Sequence, residues 1–350
     1  MQHHQNLMEL KIGSASVIIE SNPFYTTTHL NFFIKNSATG YPVGLPHFVE
    51  HLVVDFTDEH NLLGGIPLYG FTSPIFTRYS VDCLYESFVE IFQRLYTIIF
   101  KAQKKSELSS NLFSFRHFNN VKEIVLKELK ELHDNPLNHL QTEFIYYVGN
   151  NFLYAPTVGT IESIKNITPP CAERYMISTY ILPKLRIIIL TDQNPKKIVD
   201  TLSSTIPDEK YSSGFHSYNN NIVNNNNSSA PRNRVMIIHS KHKVCYVCIG
   251  FKIPPAIEIN PLEGKIILSP LIQVTLRSSL NYKVYSIRPF QYIIYGGGII
   301  GTSFVTESKM LYVYFKKIIQ LLYKLQSAKQ IEKAITDLKS RYKLILLNRL

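Results

Sequence analysis

The stretch "GLPHFVEHLVVDF", residues 44–56, sets two histidines four apart, and a glutamate beside the second, into an otherwise apolar run. That spacing predicts a helix on which His47 and His51 share one face, one turn apart, with Glu50 at its edge. Phe48, Val49, Leu52, Val53 and Val54 cover the other faces, so the helix is expected to be buried. Two imidazoles and a carboxylate buried without partners would cost on the order of several kcal/mol. A metal supplies the missing partner. Two imidazoles one turn apart can reach one zinc ion at about 2.1 Å. A carboxylate beside them can take a proton from water without itself being a ligand. This is the H-x-x-E-H order, the inverse of the commoner H-E-x-x-H.

Zinc in a hydrolase usually takes a third protein ligand. The segment "NNVKEIVLKELKELHD", residues 119–134, has helical spacing and offers Glu123, Glu128 and Glu131. At 100° per residue, Val121, Ile124, Val125, Leu129 and Leu132 form one apolar stripe. Glu128 falls in the middle of it, Glu131 on the flank and Glu123 opposite. A glutamate amid a core-facing stripe calls for something cationic to meet it. Glu123 reads as part of a solvated face.

The surrounding chain is α+β in pattern. At 350 residues, with 45% hydrophobic and 18% charged residues, it can bury a sizeable core and form two domains. The Asn/Ser-rich run "DEKYSSGFHSYNNNIVNNNNSSAPRN", residues 208–233, reads as a linker between a unit over 1–207 and a shorter one over 234–350. Strands are expected at "SASVIIES", "THLNFFIKN" and "KLRIIIL", and a helix at "SVDCLYESFVEIFQRLYTIIF". Beyond the linker, "RVMIIHS", "KVCYVCIGFKI", "QYIIYGGGII" and "KMLYVYF" read as strands. "SPLIQVTLRSSL" and "SAKQIEKAITDLKSRYKLILL" read as helices. His239, His242, Cys245 and Cys248 resemble a second metal cluster, but strand alternation would send the two cysteines to opposite faces. "GGGIIG", residues 296–301, reads as a turn or bulge rather than a dinucleotide loop.

Several function classes recede on composition. No run of 18 apolar residues marks a membrane span, and the first residues lack the pattern of a secretory signal. Four scattered cysteines do not make a disulfide framework and point to a reducing, cytoplasmic setting. The net charge of +11 is spread along the chain, with "KAQKK" its longest cluster, which argues against a nucleic-acid surface.

With these residues in view, the sequence resembles the pitrilysin, insulysin and mitochondrial-processing-peptidase family of inverted-zincin peptidases. "GLPHFVEHLV" resembles its zinc helix, and "IVLKELKELHDNP" the segment carrying its third ligand, with Glu128 lying 77 residues after His51. "YGFTSPIFTRY", residues 69–79, resembles its N-A-x-T-S-x-x-x-T-x-Y edge strand, with Tyr69 in place of the Asn. "TVGTIESIKNIT" and "YILPKLRIIIL" resemble the close of its first domain. Val121 stands where many members carry an acidic residue.

The resemblance implies a zinc endopeptidase of homologous α+β domains, the second short here, that closes around a peptide. One zinc per chain would be held by His47, His51 and Glu128, with Glu50 as general base. The backbone of Gly70, Phe71 and Thr72 would take the substrate as an added strand. Arg277 and Tyr285, in "LRSSLNYKVYSI", would contact substrate, with Tyr282 competing for the tyrosine's role. Another copy or a partner subunit could complete the chamber. A homologue that keeps the fold as a structural subunit is the rival reading. "HLVVDF" is closer to the poxvirus core metalloendopeptidase branch than to the H-M-x-F-K-G-T run of cellular members. That branch implies virion maturation, with cleavage after Ala-Gly.

Overall fold

The computed structural model describes residues 6–36, 40–101, 107–149, 155–207, 244–253, 286–294 and 297–324. The chain groups into two compact units, Met1–Lys130 with Ala155–Asn221, and Glu131–Tyr154 with Ile222–Leu350.

The first unit is built on a six-stranded sheet. Its strands are β1 (Asn6–Ile12), β2 (Ala15–Ser21), β3 (Thr28–Lys35), β4 (Tyr69–Thr72), β5 (Phe76–Cys83) and β6 (Leu185–Thr191), in the order β1-β2-β6-β3-β5-β4. Strand β6 inserts between β2 and β3, parallel to the first, where Ile18 faces Ile188, and antiparallel to the second, where Leu30 faces Ile189. The expected strands "THLNFFIKN" and "KLRIIIL" show why they form: every second side chain is buried. Val17, Ile19, Leu30, Phe32, Ile34, Ile187 and Ile189 are fully buried in one core with Phe48, Val49, Leu52 and Val53. Those last four belong to α1 (Leu45–Glu59). Helices α2 (Tyr85–Tyr96), α3 (Glu107–Leu112), α4 (Phe115–Asp134), α6 (Ile161–Asn166), α7 (Pro169–Thr179) and α8 (Pro195–Thr205) follow along the chain.

In the second unit β7 (Val244–Ile253), β8 (Ser286–Ile294) and β9 (Gly297–Glu307) form an antiparallel sheet in the order β7-β9-β8. Helix α5 (Pro136–Gly149) packs Phe144, Ile145 and Val148 against Phe290 and Ile299 of that sheet. Helix α9 (Leu311–Lys324) ends the described part. Cys248 joins the apolar cluster while the Cys245 thiol lies 3.4 Å from the Ser308 hydroxyl, as alternation along β7 requires.

Three sequence expectations need correction, and one strand was not foreseen. "KMLYVYF" is not a strand, because Leu311 to Phe315 open α9. "SVDC" ends β5 rather than beginning a helix, since only Leu84 separates β5 from α2. "NLMELKI", for which the sequence pattern named no element, is strand β1, paired with β2 through a turn in which Gly13 has φ 55°. In "GGGIIG", residues 297–301 are the start of β9, not a bulge, and a Cβ on Gly301 would collide with the Phe290 ring. The linker over 208–233, "RVMIIHS", His239, His242 and the helices expected at 269–280 and 327–347 lie outside the described residues. Among the described residues, no helix is long and apolar enough to cross a membrane.

Candidate metal centre

Helix α1 starts at a close backbone crossing. Its N-cap, Gly44, has φ 85°, and a Cβ there would lie 2.6 Å from the Cα of Gly159. Pro46 in the first turn suits a position whose N–H has no helical acceptor. The helix then buries Phe48, Val49, Leu52, Val53 and Phe56, and the same packing draws in His47 and Glu50, which are 8% and 7% exposed.

Helix α4 is held against it at two points. Phe118 packs on Phe48 with ring centroids 4.9 Å apart, and the Nε2 of buried His117 lies 3.0 Å from the Leu52 carbonyl oxygen. Three turns further on, Glu128 arrives opposite the two histidines. Its Oε2 is 3.6 Å from His47 Nε2 and 3.4 Å from His51 Nε2, and the imidazoles stand edge-on with centroids 4.7 Å apart. Glu123 is exposed, as its place opposite the apolar stripe requires. The stripe itself is narrower than expected: Val121, Val125 and Leu129 are buried, whereas Ile124 is 44% exposed. Ile124 lies one turn before Glu128, so it shares the rim of the centre rather than the core.

Ligand atoms of His47, His51 and Glu128 all lie within 4.8 Å of one another, the one such grouping of metal-ligating side chains among the described residues. Tetrahedral donors at zinc distances of about 2.0–2.1 Å stand about 3.4 Å apart. The two histidine-to-glutamate separations, 3.4 and 3.6 Å, match that spacing, so the donor set fits zinc.

The titrating groups of the cluster shift in different directions. Burial, aided by the neighbouring His51, lowers His47 to about 4. Burial also works against a charge on His51, but the Asp55 and Glu128 carboxylates outweigh it and push that imidazole up to about 10. The hydrogen bond to His51 lowers Glu128. Glu50 moves the other way: burial raises it, against the opposing effects of His51 and Thr72.

Among the described residues, strand β4 is the edge of the sheet, paired with β5 alone through Gly70–Tyr79 and Thr72–Thr77. Its two inward positions meet Glu50. The Thr72 hydroxyl donates to Glu50 Oε2 at 3.0 Å, and a Cβ on Gly70 would press into the same carboxylate, 2.6 Å from Cδ. Behind Thr72 run further hydroxyls: Thr77 Oγ1 at 3.4 Å, which donates to Asn36 Oδ1 at 2.9 Å. Tyr69 and Phe71 point outward and are 55% and 48% exposed. Sequence reasoning gave Thr72 a backbone role and missed its side chain, Asn36, His117 and Asp55. Only Asp55, one helical turn after His51, carried a visible signal. Arg277, Tyr282 and Tyr285 lie outside the described residues.

Neither a family model nor a curated protein matches the chain. Solved structures do. A peptidase M16 inactive domain from Pseudomonas fluorescens aligns with TM-score 0.70 at 12% identity, over 95% of this chain and 83% of that one. A protein from Alicyclobacillus acidocaldarius named for its likeness to M16 peptidases aligns with TM-score 0.69 at 12% identity, over 99% and 86%. The fold is that of M16 peptidase domains. It is also found in complex III2 from Candida albicans, where one chain aligns with TM-score 0.70 at 14% identity, over 97% of this chain and 82% of that one. The M16 fold is thus shared by an inactive domain and a chain of complex III2.

Proposed function

We propose that this chain is a zinc-dependent metalloendopeptidase in which His47, His51 and Glu128 hold one zinc ion and Glu50 is the general base. The observation that carries this reading is the convergence of the three ligand side chains from α1 and α4, with a fourth, buried carboxylate beside them. When bound, zinc supplies Lewis acidity that polarises a peptide carbonyl and acidifies water. Glu50 accepts the water proton and returns it to the leaving amine. Its raised proton affinity suits it to that exchange, and the Thr72 hydroxyl fixes one of its oxygens. The outer edge of β4 takes the peptide as an added strand, and Gly70 leaves room for the base beneath it. Such recognition reads backbone more than side chains. Within this reading, viral core-protein precursors containing Ala-Gly are the first substrates to offer, on the resemblance of "HLVVDF" to the poxvirus branch.

The rival reading, a structural subunit without activity, is favoured by the names of two neighbours, the inactive domain and the complex III chain. Peptide cleavage by the full zinc-loaded chain, with and without a chelator, separates the two. Glu50→Gln is expected to keep its zinc and lose about 10²–10⁴-fold in rate. Cleavage at the wild-type rate by that variant would remove Glu50 from the base role. A zinc-loaded wild-type chain that cuts no peptide would favour the subunit.

A further inference from the structure

The two imidazoles of the centre are supported unequally. His47 Nδ1 is buried and has no hydrogen-bond partner among the described residues. His51 is different, because both of its nitrogens face carboxylates. Nε2 faces Glu128 Oε2 at 3.4 Å and Nδ1 faces Asp55 Oδ2 at 3.4 Å. Helix geometry makes the second contact possible. Side chains on a helix lean toward its N-terminus, so a residue four further on is carried back over the turn below it.

We propose that Asp55 is the positioning carboxylate of this centre: by accepting the Nδ1 proton of His51 it fixes the ring so that the Nε2 lone pair faces the metal. The inference rests on the reading of His47, His51 and Glu128 as zinc ligands. It adds a residue that neither the H-x-x-E-H pattern nor the distant glutamate includes. The physical reason is general. A neutral imidazole carries one proton, and a carboxylate at one nitrogen holds it there, leaves the other nitrogen as the donor and increases that donor's basicity. The carboxylate that faces Nδ1 comes from α1 itself. Val121 of α4 is fully buried and apolar. Asp55 is half-buried, which shields the contact from part of the solvent screening that weakens exposed pairs. Asp58, one turn beyond on the same helix, is exposed and makes no side-chain contact with either histidine.

The test is zinc affinity of the full chain by chelator competition, which needs no catalysis. Asp55→Ala is expected to bind zinc about 10–100-fold more weakly than wild type while folding to the same circular dichroism spectrum. Asp55→Asn, equal in volume but uncharged, should fall between the two, and it carries the test should the alanine variant not fold. Asp58→Ala, which removes a similar charge without the contact, should stay within about twofold of wild type. Asp55→Ala and Asp55→Asn both binding within about twofold of wild type would overturn the proposal, as would an equal loss in Asp58→Ala. His51→Ala binding zinc as well as wild type would instead bring down the metal centre itself, and this inference with it.

Discussion

At the scale of single residues, the site depends on a side chain that is absent. Gly70 and Glu50 share a space in which even a methyl group would overlap the carboxylate. Gly70→Ala should therefore displace the base while leaving the ligands untouched. The expected result is a fall of about 10²-fold in kcat/KM, the cost of misplacing a reacting group by about 1 Å, with zinc content unchanged. Proton bookkeeping gives a second test. In the metal-free chain His51 is held protonated up to about 10, whereas His47, lowered to about 4, is already neutral at pH 7. A metal must expel the His51 proton, so zinc affinity should rise about tenfold per pH unit between pH 7 and 9, with about one proton released per ion. Calorimetry in buffers of different ionisation enthalpy reads that release, and none released would contradict it. The clustering of His47, Glu50, His51 and Glu128 was legible because titratable groups in an apolar run demand an explanation. Thr72 was not, because its bond to Glu50 spans two elements that sequence spacing does not bring together.

At the scale of elements, the centre exists only if α1 and α4 keep their relative placement. His117 links them: it is 5% exposed and its Nε2 meets the Leu52 carbonyl. His117→Ala should lower unfolding free energy by about 2–3 kcal/mol, from lost packing and a lost hydrogen bond. It should also weaken zinc binding although it touches no ligand atom. Denaturant titration beside chelator competition checks both, and a destabilised variant with unaltered zinc affinity would mean that the apolar packing of α4 on α1, without His117, sets the helix placement. Element types were readable where the period was long or unmixed. The 20-residue α4 and the alternating β3 declared themselves. "KMLYVYF" misled because seven residues of aromatic and branched side chains cannot separate a period of two from one of 3.6, and the helix reveals itself only through Lys324. "SVDC" misled because β5 passes into α2 with almost no loop, so the helical period seemed to extend backwards.

At the scale of the whole molecule, overall shape does not decide chemistry: the same fold houses an inactive domain. This chain brings His47, His51 and Glu128 together from two helices, and a bound ion would tie those helices together. Zinc at a hundredfold excess over its Kd should stabilise the chain by about 2.7 kcal/mol, and chelator should reverse the gain. His47→Ala should show no such shift in its melting curve. The most direct check of the account is X-ray absorption at the zinc edge on the full, zinc-loaded chain. It predicts one zinc per chain with two imidazole nitrogens among nitrogen and oxygen neighbours at about 2.0–2.2 Å. Sulfur neighbours at about 2.3 Å, or an identical spectrum after Glu128→Ala, would contradict it.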